Sequence, residues 1–354
     1  MKTFKRIWYS ESLERTKAFI KRRLMDAYRI THGVQRKVIF RSFSGNHYSD
    51  NPKAISEKMH EQYPDVEIVW MLNDLASTGV PDYVRKAENT TWGIIREYST
   101  AMGWVDNFGL NRNYSKSVLQ RYVQTWHGDR SFKKVICQSS YLGFLPSNVV
   151  ENEICDLCLA GSDFGLETYR TAFLYDGPVL KLGTPRCDRL VRPDAAHAAA
   201  LKASMGFEAN TRYVLYAPTF RDKEGLEDDT AHEALDVDYI AERLKRATGE
   251  KWRVLLRVHP SVAEKAIAVS ELGVNVSAWE DMMDLLEVAD ALISDYSSSV
   301  GDYILTGRPV VLFQHDLEDY ERDSRELRFD MGGSPYVVAR TNEEVALKLA
   351  GLFL

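Results

Sequence analysis

The chain has 354 residues, of which 45% are apolar and 27% are charged, as is typical of globular proteins. Its length exceeds that of one ordinary core and predicts two domains of about 150 residues each. No apolar run approaches the about 20 residues that cross a bilayer. Met1 is followed by charged residues, so no secretory signal is indicated.

Residues 1–30 are basic, although the whole chain has a net charge of −6. Nine Lys and Arg against three acidic side chains give this segment a charge of +6, with Phe4, Trp8 and Phe19 interleaved. Two interpretations follow: a helix on an anionic membrane surface, or an ordinary solvated helix packed on the domain. The segment should be dispensable for catalysis, since every motif described below follows Phe43. The acidic remainder argues against a nucleic-acid partner.

Four cysteines are too few for a disulfide framework and indicate a reducing cytoplasm. Cys155 and Cys158 form a CxxC pair, but two further zinc ligands are not evident nearby, which favours two cysteines on a buried strand. The Walker A pattern and the GxGxxG pattern are both absent. The sequence therefore predicts neither a bound metal nor a resident cofactor.

Strand-like and helical segments alternate along the first half of the chain. Strands are predicted at 37–43, 66–72, 104–106, 123–126, 154–160 and 179–182, and helices at 91–99 and 163–173. A further helix is predicted to have Asn51 as its cap and Pro52 at its first position.

The second half repeats this scheme. Strands are predicted at 213–217, 252–258, 289–294 and 309–313, and helices after Asp194, across 237–247, at 282–286 and up to Thr306. Two successive arrays of this kind predict an α/β fold with two parallel-sheet, Rossmann-like domains that face each other across a cleft. The boundary is predicted between Gly183 and Asp194.

Three serines, Ser297, Ser298 and Ser299, follow the predicted strand 289–294 and open a helix. In parallel sheets, ligands bind beyond the carboxyl ends of the strands. Free N–H groups and small hydroxyl side chains suit a phosphate at such a corner. The alternative interpretation is a plain serine cap.

Other polar residues follow further strands. His259 ends strand 252–258, Thr219 and Arg221 follow strand 213–217, and His127 ends strand 123–126 in the other domain. Two histidines at strand ends in opposite domains predict an enzyme acting on a phosphate-bearing ligand, and a nucleotide is the expected one. His127 is interpreted as the general base or acid, and His259 as a contact of the transferring group.

Several motifs occur in a fixed order: QTWHG at Gln124–Gly128, GTPR at Gly183–Arg186, APTFRD at Ala217–Asp222, RVHP at Arg257–Pro260 and SDYSSS at Ser294–Ser299. Together they resemble the CDP-glycerol glycerophosphotransferase family, whose bacterial members prime and polymerise teichoic acids. The resemblance covers roughly residues 37–330, and the joint occurrence of the motifs is far more specific than any one of them.

The resemblance implies a glycosyltransferase-B-like pair of Rossmann domains. The expected organisation is a basic segment at 1–30, an acceptor-side domain at 31–187 and a CDP-donor-binding domain at 188–354. The implied reaction moves a polyol phosphate from CDP-glycerol or CDP-ribitol to a hydroxyl of a lipid-linked or glycan acceptor, with release of CMP. The expected location is the cytoplasm, at the inner face of the membrane.

Matched motif by motif, the resemblance also assigns roles to residues. His127 resembles the acceptor-side base, and His259 resembles a histidine on the donor phosphate. The serines at 297–299 resemble a pyrophosphate cradle, and Thr219 and Arg221 resemble donor-side contacts. Phosphoryl transfer of this kind depends mainly on positioning and charge stabilisation.

The loop after His127 departs from the family pattern, because Asp129-Arg130 replaces the usual Thr-Pro while Lys133 is kept. Asp129 and Lys133 are candidate acceptor-side residues. Asp129 alternatively orients His127, or pairs with Arg130 or Lys133 without a chemical role. The chain is also expected to be a minimal enzyme, a primase or capsule-type transferase, because no long extra N-terminal domain precedes the motifs.

Two other functions compete with this interpretation. A nucleotide-sugar glycosyltransferase would use the same architecture, and donor specificity would distinguish it. A membrane-bound scaffold with a degenerate site is disfavoured by the retention of His127, His259 and the serines.

Overall fold

The computed structural model describes residues 2–110, 114–139, 151–219, 221, 231–258, 271–323, 326–330 and 333–354. The chain forms two compact units. The first contains Met1–Asp129 and Phe144–Arg186, and the second contains Arg130–Gly143 and Cys187–Leu354.

In the described part of the first unit, seven parallel strands form one sheet in the order β3-β2-β1-β4-β5-β6-β7. The strands are β1 (Gln35–Arg41), β2 (Glu67–Leu72), β3 (Val84–Glu88), β4 (Ala101–Asp106), β5 (Arg121–Gln124), β6 (Leu157–Ala160) and β7 (Val179–Lys181). The helices are α1 (Lys2–His32), α2 (Asp50–Gln62), α3 (Thr91–Thr100) and α4 (Asp163–Thr171). The strand order is that of a Rossmann fold extended by one strand.

The described part of the second unit contains a six-stranded parallel sheet in the order β10-β9-β8-β11-β12-β13. Its strands are β8 (Thr211–Ala217), β9 (Lys251–Leu256), β10 (Gly273–Asn275), β11 (Ala291–Ser294), β12 (Val310–Phe313) and β13 (Val337–Ala339). Its helices are α5 (Asp188–Val191), α6 (Ala195–Ser204), α7 (Val237–Thr248), α8 (Met282–Val288), α9 (Ser299–Tyr303), α10 (Leu317–Asp323) and α11 (Asn342–Gly351). This order again matches the Rossmann arrangement.

The central strands are buried on both faces, which explains their nearly continuous apolar sequences. Val38 of β1 is aligned with Ile68 of β2, and Leu215 of β8 is aligned with Leu292 of β11. All four side chains are buried. The prediction of two Rossmann-like parallel sheets is thereby confirmed.

One predicted helix start is wrong. Helix α2 begins at Asp50 with Ser49 as its cap, so Asn51 lies inside its first turn. The physical reason is that Asn51 Oδ1, the atom with which a cap accepts, already accepts the backbone N–H of Arg186 at 3.1 Å. Asn51 Nδ2 donates to the carbonyl oxygens of Trp126 and Thr125, at 3.0 and 3.5 Å.

Helix α1 packs one face on the first unit. Ala18 and Met25 are buried, and Met25 belongs to the core that also contains residues of α3. Arg29 donates to the carbonyl oxygen of Ser115 at 3.1 Å and to Gln120 Oε1 at 2.8 Å. Deletion of residues 1–30 would therefore open this core, so the packing argues against the prediction that the segment is dispensable for catalysis.

The opposite face of α1 is exposed and carries Phe19, Ile20, Leu24 and Ile30 among basic side chains. In the described part of the chain, none of the helices combines the length and apolarity that a membrane span requires.

Candidate active site

The sheet order of each unit reverses at one place, between β1 and β4 in the first unit and between β8 and β11 in the second. Ligands of open parallel sheets bind beyond the carboxyl ends of strands at such a reversal. His127 follows β5, the neighbour of β4, while Thr219 follows β8 and Ser297 follows β11. Thr219 and Ser297 thus lie at the switch point of the second unit, and His127 lies one strand away from that of the first.

The imidazole of His127 is oriented by the backbone of the loop after β4. His127 Nδ1 lies 2.7 Å from the carbonyl oxygen of Asn107. A carbonyl oxygen only accepts hydrogen bonds, so Nδ1 carries the proton and Nε2 of the neutral ring has a lone pair. Among the described residues, none bonds to Nε2. The ring is therefore arranged to accept a proton.

Three aromatic rings surround this imidazole. Phe108 stacks on it with a centroid distance of 5.6 Å and an interplanar angle of 12°, and the rings of Phe43 and Trp126 lie 5.2 and 4.1 Å away. Burial lowers the pKa of His127 below its ordinary value, against the opposing effect of the Asn107 carbonyl. The neutral form, which a base requires, is favoured near pH 7.

Asn107 was not singled out from the sequence. Its Oδ1 accepts the backbone N–H of Phe43 at 2.8 Å, and its Nδ2 donates to Ser42 Oγ at 3.4 Å. Asn107 thus connects the loop after β1, the loop after β4 and the imidazole. The sequence signal for it is its position directly after a buried strand at the switch point.

Asp129 is anchored within the first unit. Its carboxylate accepts the backbone N–H of Gly161 at 2.8 Å and the hydroxyl of Ser162 at 3.1 Å, at the start of α4. A Cβ at Gly165 would lie 1.7 Å from Asp129 Oδ1, so this glycine makes room for the carboxylate. Asp129 therefore ties the loop after His127 to the start of α4.

Lys133 lies in the second unit, where it pairs with Leu327 through an antiparallel bridge. Arg130 also belongs to the second unit and forms an ion pair with Asp302 at 3.3 Å. Asp129 thus belongs to the first unit and Lys133 to the second.

The donor-side candidates of the second unit form two hydrogen-bonded groups. The Thr219 N–H donates to the two carboxylate oxygens of Asp295 at 2.9 and 3.0 Å. Ser297 Oγ accepts both the N–H of Ser299, at 3.3 Å, and its hydroxyl, at 2.9 Å. Thr219 Oγ1 is buried and has no partner among the described residues. Helix α9 after these serines has only five residues, so its dipole adds little.

Arg221 is held by two carboxylates. Its guanidinium lies 2.8 Å from Asp295 and 2.8 Å from Asp316. It also lies over the rings of Tyr296 and Tyr320, which stack 3.8 Å apart. Burial opposes its charge, but the two carboxylates raise the pKa of Arg221 above its ordinary value. Arg221 therefore organises Asp295, which in turn orients Thr219.

His259, the second predicted catalytic histidine, lies outside the described residues. The Sγ atoms of Cys155 and Cys158 are 3.8 Å apart, with Cys158 buried on β6. In the part of the chain that the structure describes, no group of three or more His, Cys, Asp or Glu side chains is placed to hold a metal ion.

The sequence profile of CDP-Glycerol:Poly(glycerophosphate) glycerophosphotransferase matches residues 26–352. The teichoic acid poly(glycerol phosphate) polymerase of Bacillus subtilis strain 168 is 30% identical over 88% of this chain and 43% of its own length. The polymerase of the same name from Staphylococcus epidermidis is 28% identical over 82% of this chain and 42% of its own. The chain thus spans less than half the length of these two relatives.

Among solved structures, the wall teichoic acid polymerase TagF superposes with a TM-score of 0.80 at 25% identity, covering 98% of this chain and 88% of that chain. A TagF variant soaked with CDPG superposes over the same shares with a TM-score of 0.78, also at 25% identity.

Proposed function

The chain belongs to the CDP-glycerol:poly(glycerophosphate) glycerophosphotransferase family, and from this premise we propose that it transfers a polyol phosphate from a CDP-linked donor to an acceptor hydroxyl. The donor would be CDP-glycerol or CDP-ribitol, and the acceptor a lipid-linked or glycan precursor of a teichoic-acid-type polymer. The observation that carries this proposal is the orientation of His127, whose Nδ1 is bonded to the Asn107 carbonyl and whose Nε2 has a lone pair available.

On the acceptor side, His127 Nε2 takes the proton of the attacking hydroxyl. The acceptor oxygen forms a bond to the phosphorus that carries the polyol, and the bond from that phosphorus to the oxygen of CMP breaks. CMP leaves with the bonding electrons, and the imidazolium later releases its proton to water. A base of this kind typically contributes about 10²–10⁴-fold to the rate.

On the donor side, the hydroxyls of the serine cluster, Ser297–Ser299, and of Thr219 bind the diphosphate. Arg221 is assigned an indirect role, because two carboxylates already bind its guanidinium. It keeps Asp295 in place, and Asp295 aligns the Thr219 N–H. His259 is assigned to the transferring phosphate on its RVHP motif alone.

A peripheral position at an anionic membrane surface is part of the proposal. The outward face of α1 combines exposed Phe19, Ile20 and Leu24 with the exposed cations Arg22 and Arg23. Apolar side chains flanked by basic residues bind anionic lipid headgroups without spanning the bilayer. A lipid-linked acceptor would then be met at that surface.

The test measures nucleotide release from purified protein. CDP-glycerol, CDP-ribitol and a UDP-sugar are each supplied with a short soluble polyol-phosphate acceptor, and CMP and UDP are quantified. We expect acceptor-dependent CMP release from one CDP-polyol, reduced about 10²–10⁴-fold in His127→Asn. His60→Asn is the matched control, because His60 stacks on Tyr83 in the last turn of α2, and its replacement should leave the rate unchanged.

The competing functions predict other results. Acceptor-dependent UDP release would establish the nucleotide-sugar glycosyltransferase instead. Donor binding without turnover for any of the three nucleotides would favour the scaffold. Equal rates in His127→Asn and the unsubstituted protein would remove His127 from the mechanism.

A further inference from the structure

The turn that carries His127 has a strained backbone. Trp126, directly before His127, has φ of 52°, a left-handed conformation that is unfavourable for a bulky residue. Its N–H donates to Gln124 Oε1 at 2.8 Å. Such a conformation persists only where surrounding contacts determine it, and it is often found where a functional side chain must be aimed.

Two buried side chains bind the successive carbonyl oxygens of this turn. Asn51 Nδ2 donates to the Trp126 oxygen at 3.0 Å and to the Thr125 oxygen at 3.5 Å. Arg186 Nη2 donates to the His127 oxygen at 3.0 Å. Asn51 and Arg186 are only 1% and 4% exposed. All three carbonyls from Thr125 to His127 are therefore held by this pair.

The pair is also interlocked. The backbone N–H of Arg186 donates to Asn51 Oδ1 at 3.1 Å, and Arg186 Nη1 lies 3.2 Å from Asp50 Oδ1. Asp50 has φ of 66°, so a second non-glycine residue in the left-handed region is tied to the same guanidinium. One arginine thus links two strained positions, one on each side of the switch point.

We propose that Arg186 is the positioning residue of His127, with Asn51 as its partner, an assignment that rests on the proposed function of His127 as the base. Arg186 acts through the protein backbone: its planar guanidinium bonds a carboxylate and a carbonyl simultaneously, a geometry that the single ammonium of lysine does not reproduce. Without it, the Trp126 turn relaxes and Nδ1 loses its alignment with the Asn107 carbonyl. A displacement of about 1 Å at a reacting group costs up to about 10²-fold in rate.

The experiment compares three single variants. Arg186→Lys keeps the positive charge near Asp50 but loses the planar guanidinium that bonds two groups simultaneously. Asn51→Asp keeps the acceptor for the Arg186 N–H but loses the donor to the Trp126 carbonyl. Arg189→Lys is the control, because Arg189 binds Asp284 and Glu287 in the second unit and does not contact the His127 turn. Each variant is measured for kcat, for KM of the CDP-polyol and for circular dichroism.

A second readout does not depend on turnover. The titration of His127 is followed by NMR of histidine-labelled protein without substrate, with its signal identified by its absence in His127→Asn. Burial is the largest influence on the pKa of His127 and lowers it, while the Asn107 carbonyl has a smaller, opposing effect. A relaxed turn that admits water therefore raises this pKa towards the ordinary value of about 6.5.

We expect kcat to fall about 10-fold to 10²-fold in Arg186→Lys and Asn51→Asp, KM of the donor to change less than about twofold, and the His127 titration to move to higher pH. The control should change none of these. An unmoved titration in a folded variant overturns the proposal, as does an equal loss of kcat in Arg189→Lys. If the unsubstituted protein transfers nothing, the proposed function fails, while the titration still decides the positioning role.

Discussion

The ring of Phe108 lies nearly parallel to the imidazole of His127, with 5.6 Å between centroids and an angle of 12°. One face of Phe108 covers the imidazole, yet the side chain is 52% exposed. A large aromatic ring in this position shields the histidine from water on one side and presents its other face to an approaching molecule. The apolar face of a sugar or polyol suits such a surface.

Replacement of Phe108 by alanine should therefore act on the acceptor. We expect a higher KM for the acceptor, a rate lower by roughly 10-fold to 10²-fold and an unchanged affinity for the CDP-polyol. Steady-state kinetics with each substrate varied in turn separates these effects. Tyr63→Ala is the control, since Tyr63 is 53% exposed at the end of α2 and should change neither KM. A changed donor affinity alone would contradict this assignment.

The pH dependence of transfer should report His127. The neutral imidazole is the active base, and burial lowers its pKa below the ordinary value of about 6.5. As pH falls, activity is therefore kept through pH 6.5 and lost only at lower pH, where His127 takes up a proton. The measurement is kcat/KM between about pH 5 and pH 8, with circular dichroism to show that the protein stays folded. A loss of activity centred above pH 6.5 would mean that another group controls the rate.

The serine cluster should act on the donor and not on the proton transfer. Ser298→Ala and Ser299→Ala should each weaken binding of CMP and the CDP-polyol by roughly 1–2 kcal/mol, the loss of one hydrogen bond to a charged group. Isothermal titration calorimetry measures this directly. Ser204→Ala, which removes an exposed hydroxyl bonded to the Leu201 carbonyl, is the control. If both serine variants bind CMP and the CDP-polyol as tightly as the unsubstituted protein, these serines serve only as the start of helix α9.

The fold was predictable where strands are apolar along their length. β8 and β9 are examples, because burial on both faces requires such sequences. β3, which reads VRKAE, was not recognised, because its charged side chains lie at the outer edge of the sheet. β10 and β13 have three residues each, too few for a period to appear.

The site was predictable only in part, because a sequence pattern shows which residues follow a strand but not which distant residues contact them. His127 and the serines each follow a recognisable strand, so their positions were evident from the sequence. The contacts of Arg186 with the His127 turn join residues 59 positions apart in the chain. Asn51 resembled a helix cap by its residue type and by the proline after it. Its actual partners are fixed by tertiary packing, which overrides the local preference.

Arg221 should matter chiefly for stability. Arg221 and Asp295 are 9% and 2% exposed at their side chains, so removal of the guanidinium leaves a buried carboxylate without its cation. Arg221→Ala should lower the free energy of unfolding of the second unit by about 3–5 kcal/mol. Arg340→Ala, which breaks an exposed pair with Glu318, should cost far less, because solvent screens that pair. Urea unfolding measures both. A stable Arg221→Ala protein with weak donor binding would instead indicate a direct donor contact.

The exposed face of α1 should bind anionic vesicles, and its buried face makes point substitutions the appropriate test. Truncation at residue 30 would remove buried Met25 and the Arg29 contacts, and would thus confuse membrane binding with folding. Replacement of both Arg22 and Arg23 by glutamine removes two exposed charges, each contributing about 1 kcal/mol near an anionic surface. Binding to phosphatidylglycerol vesicles should then weaken roughly 30-fold at low salt.

The control is the double replacement of Lys245 and Arg246 by glutamine, which removes the same charge from the exposed end of α7. Its binding to the same vesicles should match that of the unsubstituted protein, and added salt should weaken both through screening. The α1 variant should still use a short soluble acceptor at the full rate, because Arg22 and Arg23 are exposed on the helix and do not contribute to its packed face. If both double variants lose vesicle binding equally, the attraction is a property of the net charge, and α1 is an ordinary solvated helix.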